Sequence, residues 1–131
     1  RPGEVLASVR WPVPGAQTRF GYTKLGLRQA DAISVASAAI SLEVDETGRC
    51  THARIALGAV APVPLRAHEA EASLEGQPVD RERIDRAARL AAQAATPISD
   101  LRATAGYRKR VSEVIVRRLL AQAAQLTLQE A

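Results

Sequence analysis

Residues 33–58 constrain the fold more than any other stretch of this chain. Ile33, Val35, Ser37, Ala39 and Ser41 alternate with Ser34, Ala36, Ala38, Ile40, Leu42 and Val44. Successive side chains of an extended backbone point to opposite sides, so a period of two is a strand signal. Apolar residues on both sides predict a central strand buried on both faces. Asp45-Glu-Thr-Gly48 supplies a hairpin turn in which Gly48 is free to take positive φ. Residues 49–58 return as the partner strand, with Ile55 and Leu57 inward.

The flanking segments extend this pattern in both directions. Residues 4–11 alternate Val5, Ala7, Val9 and Trp11 against Leu6, Ser8 and Arg10, which predicts a strand; Pro12-Val-Pro-Gly15 stops it. Residues 19–25 predict another short strand, with Phe20, Tyr22 and Lys24 on one side, and residues 26–32 a polar break. Residues 59–64 hold Pro62 and Pro64 and read as irregular. Residues 66–74 predict a short helix closed by Gly76. Asp80 is a good N-cap for a second helix, whose Ile84, Ala87, Ala88, Ala91 and Ala95 recur at helical spacing until Pro97. After a loop at 98–104, a third helix is expected from about Ala105 to near Leu126. Its expected apolar stripe is Tyr107, Val111, Val114, Ile115, Leu119, Ala123 and Leu126, opposite Arg108, Arg110, Arg117 and Arg118. Strands come first and helices after, so the predicted class is α+β: an antiparallel sheet of three to four strands packed against about three helices.

Composition narrows the function. At 131 residues, 47% apolar and 24% charged, the chain suits one globular domain and argues against disorder. The basic excess is 16 Arg against 2 Lys beside 26 Ala, a compositional bias more than a nucleic-acid surface. With 3% aromatic residues there is no platform for stacking bases, so no nucleic-acid partner is expected. No apolar stretch approaches the ~20 residues that span a bilayer, and no signal peptide is visible, which together predict a cytoplasmic location. Met is absent throughout, the first position included, which predicts a processed product or a fragment.

Candidate chemistry is sparse. A single cysteine, Cys50, allows no internal disulfide and no cysteine-based zinc cluster, and His52 and His68 stand far apart in sequence. Cys50 and His52 are expected on one face of a strand, and the acidic groups Glu43/Asp45/Glu46 and Glu69/Glu71/Glu75 as a turn and a solvated helix face. No glycine pattern cradles phosphates. The exception is Lys24-Leu-Gly-Leu-Arg28-Gln-Ala-Asp31-Ala32-Ile33, where an isolated Lys and Arg stand beside a glycine-containing break. A compact ammonium and a planar guanidinium there suit an anion or a planar, electron-rich ligand.

That segment resembles the signature opening the C-terminal domain of the FAD-binding medium subunit in molybdenum hydroxylases, the family of aerobic carbon monoxide dehydrogenase and xanthine dehydrogenase. Three further stretches resemble the family in the same order. Arg1-Pro-Gly-Glu-Val-Leu6 is similar to the end of the preceding FAD domain. Arg54-Ile-Ala-Leu-Gly58-Ala-Val-Ala-Pro62-Val-Pro64-Leu-Arg66-Ala is similar to the return strand and proline corner. Pro97-Ile-Ser-Asp100-Leu-Arg102-Ala-Thr-Ala-Gly-Tyr107-Arg108 is similar to the loop into the last helix. One departure is local: the family has Asp directly before the Ile of the signature, whereas here Ala32 holds that place and the acid is Asp31.

The resemblance implies that residues 1–14 are the tail of an FAD-binding domain and 15–131 the C-terminal domain. It implies a cofactor, FAD, held by the complete subunit, with electrons arriving from an iron–sulfur small subunit and substrate oxidised on a molybdenum large subunit. The implied assembly is a heterotrimer or a dimer of heterotrimers. Leu6 falls where the family packs on the flavin ring, Lys24 near the ring's carbonyl edge, and Arg28 and Asp31 in the charged loop beside it. Arg102, Tyr107 and Arg108 match positions that anchor a loop. The phosphate-holding loops belong to the family's N-terminal domains, so this chain alone is expected to bind FAD weakly or not at all and to be inactive. The alternative reading is a protein-interaction or dimerisation module with no ligand.

Overall fold

A computed structural model describes residues 2–28 and 32–125. Four strands, β1 (Thr18–Gly26), β2 (Ser34–Val44), β3 (Cys50–Gly58) and β4 (Leu65–Arg66), form one antiparallel sheet in the order β1-β2-β3-β4. Three helices follow, α1 (His68–Leu74), α2 (Arg81–Ala94) and α3 (Ala105–Ala123). The class is the expected α+β, strands first and helices after.

Register explains the burial. Ala38, Ile40 and Leu42 of β2 lie opposite Leu57, Ile55 and Ala53 of β3, and all six are buried. α1 packs on β3, α3 on β1 and β2, and α2 against both other helices. Only one face of β2 is therefore covered. Ala39 on the opposite face is exposed, and Ser37 and Ser41 are half-buried. The expectation of a strand buried on both faces is overturned: the second set of small residues is an open sheet surface, as antiparallel sheets allow.

Other boundaries also moved. Residues 4–11 form no strand; Val5, Leu6, Val9 and Trp11 are exposed, because no described strand pairs with them and Pro12 and Pro14 interrupt the run. Arg66 belongs to β4, pairing with Ala56, so α1 begins at His68. A bulge between Glu43 and Val44 sets both Cys50 and Thr51 against Val44, so the inward phase passes from Ala53 to Cys50. Cys50 is buried while His52 turns to the outer face, which overturns the expectation that they share a face.

In α3 the buried stripe comprises Arg108, Ser112, Ile115, Val116, Leu119, Leu120 and Ala123. Tyr107 and Val114, expected inward, are 43% and 39% exposed. The stripe is rotated because the buried Arg108 guanidinium, not Tyr107, turns toward the sheet; Leu126 lies outside the described residues.

Helix termini follow the expected chemistry. The Asp80 carboxylate accepts from the Arg83 amide at 2.9 Å and from the Arg83 guanidinium, and Thr104 Oγ1 accepts from the Tyr107 amide at 3.2 Å. Replacing Asp80 with Ala is expected to cost about 1 kcal/mol, read as a lower urea midpoint at unchanged m-value.

Candidate functional site

Lys24 lies near the end of β1, on the outer sheet face with Phe20 and Tyr22, and pairs with Ser37 of β2. A Cβ at Gly26 would lie 2.5 Å from Ala32 Cβ, so glycine is required where the loop returns against the strand. The return brings the Ala32 carbonyl within 3.2 Å of Lys24 Nζ, which donates to it. The ammonium is exposed, and among the described residues it forms no ion pair with a carboxylate. Two of its three N–H groups are left to point outward. Beside it runs an open surface of small side chains, Ser37, Ala39 and Ser41, flanked by the exposed rings of Phe20 and Tyr22.

The other predicted site residues are placed differently. Arg28 is exposed and borders a shallow hollow of about 260 Å³ with Leu27, Ala32, Ile33 and Arg102. Leu6 is 80% exposed in the irregular segment that precedes β1. The fold thus joins Lys24 and Arg28 through the loop at Ala32, and Leu6 lies off the sheet. Asp31 lies outside the described residues.

A buried ionic cluster fixes the frame behind this loop. Arg108 is 4% exposed. Its Nη1 donates to the Val35 carbonyl at 2.5 Å and the Ala59 carbonyl at 3.2 Å, and its Nη2 donates to Asp100 Oδ1 at 2.8 Å. Asp100 also accepts from the Arg102 and Ala103 amides and from Arg102 Nε. Burial opposes the Asp100 charge, but these amides and two guanidiniums outweigh it and hold the carboxyl well below the usual range. One guanidinium thereby ties together the start of β2, the end of β3 and the loop before α3. Arg102 and Arg108 do anchor the loop. Periodicity alone misassigned Arg108 to a solvated face, since a helical wheel cannot show that two carbonyls and a carboxylate converge on it.

Among the described residues no catalytic constellation emerges. Burial, and secondarily Glu75, pushes the Cys50 thiol up to about 11, far from a reactive thiolate. Glu71, expected on a solvated face, is buried: it accepts from the Ile55 amide at 2.8 Å and from Arg66 at 2.7 and 2.8 Å, joining α1 to the sheet. Among the described residues no group of three or more His, Cys, Asp or Glu could hold a metal ion, and no helix is long and apolar enough to cross a membrane.

Residues 21–123 match the family model described as the CO dehydrogenase flavoprotein C-terminal domain. The chain belongs to that family. It is 38% identical over 122 residues to the carbon monoxide dehydrogenase medium chain of Afipia carboxidovorans, covering 93% of this chain and 42% of the relative. Across 63% of the chain and 28% of the relative, it is 32% identical to the nicotinate dehydrogenase FAD-subunit of Eubacterium barkeri. In three dimensions it is similar to a chain of a Cu,Mo-CO dehydrogenase, with a TM-score of 0.79, 36% identity and coverage of 87% and 39%. A chain of quinoline 2-oxidoreductase from Pseudomonas putida 86 gives 0.78 at 32% identity, with the same coverage. The domain spans about two-fifths of the length of these medium-chain and solved relatives.

Proposed function

We propose that this domain forms one wall of the flavin pocket in the medium subunit of a molybdenum hydroxylase. The observation that carries the reading is the Lys24 ammonium, held at the end of β1 by one carbonyl and facing outward beside an open, small-residue sheet surface. Those residues fit the carbonyl edge of a planar ring. When bound, FAD supplies acceptance of electrons from one partner and their delivery to another. Lys24 offers a localised positive charge that favours the ring's reduced, anionic form. Leu6, exposed and apolar, supplies a surface for the ring to pack on, and Arg28, with Asp31, forms the charged loop where an external acceptor approaches. The frame of Arg108, Asp100 and Arg102 ties the start of β2, at Val35, to the loop before α3.

The rest of the reading rests on what the resemblance to the family implies. The complete subunit takes electrons from an iron–sulfur small subunit, and a molybdenum large subunit oxidises the substrate, in a cytoplasmic heterotrimer or its dimer. We place the domain boundary between residues 14 and 15, where the Thr18 amide donates to the Gly15 carbonyl at 3.0 Å in the turn entering β1.

The test is Lys24→Gln in the complete subunit. Loss of the charge is expected to lower the flavin's two-electron potential by roughly 20–40 mV, about 1–2 kcal/mol, and Lys24→Arg to restore most of it. An unchanged potential in Lys24→Gln would place Lys24 away from the ring.

A further inference from the structure

We propose that the groove between β1 and α3 is a docking surface for an extended, acidic segment of a partner polypeptide, which adds a strand to the sheet at β1. β1 is the terminal strand of the order β1-β2-β3-β4, so its outer backbone edge has no strand partner among the described residues. Beside that edge runs a groove of about 390 Å³, floored by Thr23 and Leu25 of β1 and by Tyr107, Val111, Val114 and Ile115 of α3.

α3 therefore carries two apolar stripes. Ile115, Val116, Leu119 and Leu120 serve the core, whereas Tyr107, Val111 and Val114, spaced i, i+4 and i+7, line this groove and leave two of their number substantially exposed. Val111 also packs against the core cluster, which leaves Tyr107 and Val114 as the part of the stripe turned to the groove and to solvent.

Charge identifies the occupant. Arg110 and Arg118 line the groove, and no carboxylate does. Among the described residues neither has an ion-pair partner, whereas Arg66, Arg83, Arg102, Arg108 and Arg117 each hold an Asp or Glu. An alternating segment paired to β1 would drop every second side chain into the apolar floor and turn carboxylates toward the arginines. A polypeptide fits better than a nucleic acid, because a strand edge offers main-chain pairing and the groove holds only one ring, Tyr107. The chain's own residues 4–13 are a poorer occupant: Glu4 and Arg10 cancel, and Pro12 lacks an N–H.

The test uses the full chain without flavin and leaves Lys24 intact, so its outcome is independent of the flavin reading. The probes are a fluorescein-labelled alternating glutamate–valine peptide and its lysine–valine counterpart. The acidic peptide is expected to bind at least about tenfold more tightly and to shift the backbone amide signals of Thr18–Gly26. Arg110→Glu with Arg118→Glu is expected to weaken it by about tenfold or more. Arg110→Gln with Arg118→Gln controls for folding and should weaken it less. Equal binding of both peptides, no binding, shifts confined to another face, or insensitivity to both double variants would overturn the proposal. So would concentration-dependent dimerisation through this face, or displacement of the peptide by a DNA oligonucleotide.

Discussion

Arg108→Ala is expected to destabilise the domain by about 3–5 kcal/mol, a large part of the stability of a domain this size. The guanidinium is buried and makes three charge-assisted bonds, to the carbonyls of Val35 and Ala59 and to Asp100. Alanine would take its donor from the buried Val35 carbonyl and from the part-buried Ala59 carbonyl, and leave Asp100 with Arg102 as its cationic partner among the described residues. Arg108→Lys should recover only part of the loss, because one ammonium cannot span three acceptors set by a planar fork. Urea denaturation of both variants checks this; a loss below about 1 kcal/mol in Arg108→Ala would show that the cluster does not hold the fold.

The same cluster sets an acid limit. The native Asp100 carboxyl lies below its ordinary range, so its ionised form favours the folded state. That contribution is complete above the ordinary aspartate value of about 4 and falls away as pH drops below it. Asp100→Asn is therefore expected to lower stability at pH 7 and to flatten its decline between about pH 4 and 2. A decline as steep as that of the unsubstituted chain would assign the acid sensitivity elsewhere, with Glu71 the next candidate, its carboxyl also lowered: burial opposes the charge, and Arg66 and the Ile55 amide outweigh it.

Ile55→Ala is the second large effect, about 2–5 kcal/mol. Ile55 is fully buried and lies opposite Ile40 beneath the helices, while its backbone bonds Ala67 and Glu71. Truncation leaves those bonds and opens a cavity that the surrounding backbone cannot close. Val114→Ala, on the exposed stripe of α3, should change stability by no more than about 0.5 kcal/mol. Parallel thermal melts separate the two cases: a comparable loss at Val114 would mean that it belongs to the core and not to a docking surface.

The hairpin and the helix caps were legible because they depend on neighbours in sequence. Alternation at 34–44, the Asp45–Gly48 turn and the Asp80 cap each work over a few residues of backbone geometry. The Lys24-to-Ile33 signature was legible as a resemblance, and the structure gives it a shape through Gly26 and Ala32. What failed were statements about faces. Alternating apolar residues at 4–11 had no neighbouring strand, and both sides of β2 carried small residues although only one meets a helix. The bulge at Val44 reversed the phase of Cys50, and a one-residue change of register cannot be read from a period of two.

By itself the sequence determined that strands come before helices, the turn and cap positions, and the resemblance to the flavoprotein family, because local propensity and motif spacing reside in the chain's own order. Only the tertiary structure decided which charges are buried. Arg108 and Arg110 stand two apart on one helix, yet one is clamped by carbonyls from β2, by Ala59 and by Asp100, while the other borders an open groove. That difference arises because burial depends on partners that are far away in sequence and meet only when the sheet and helices pack.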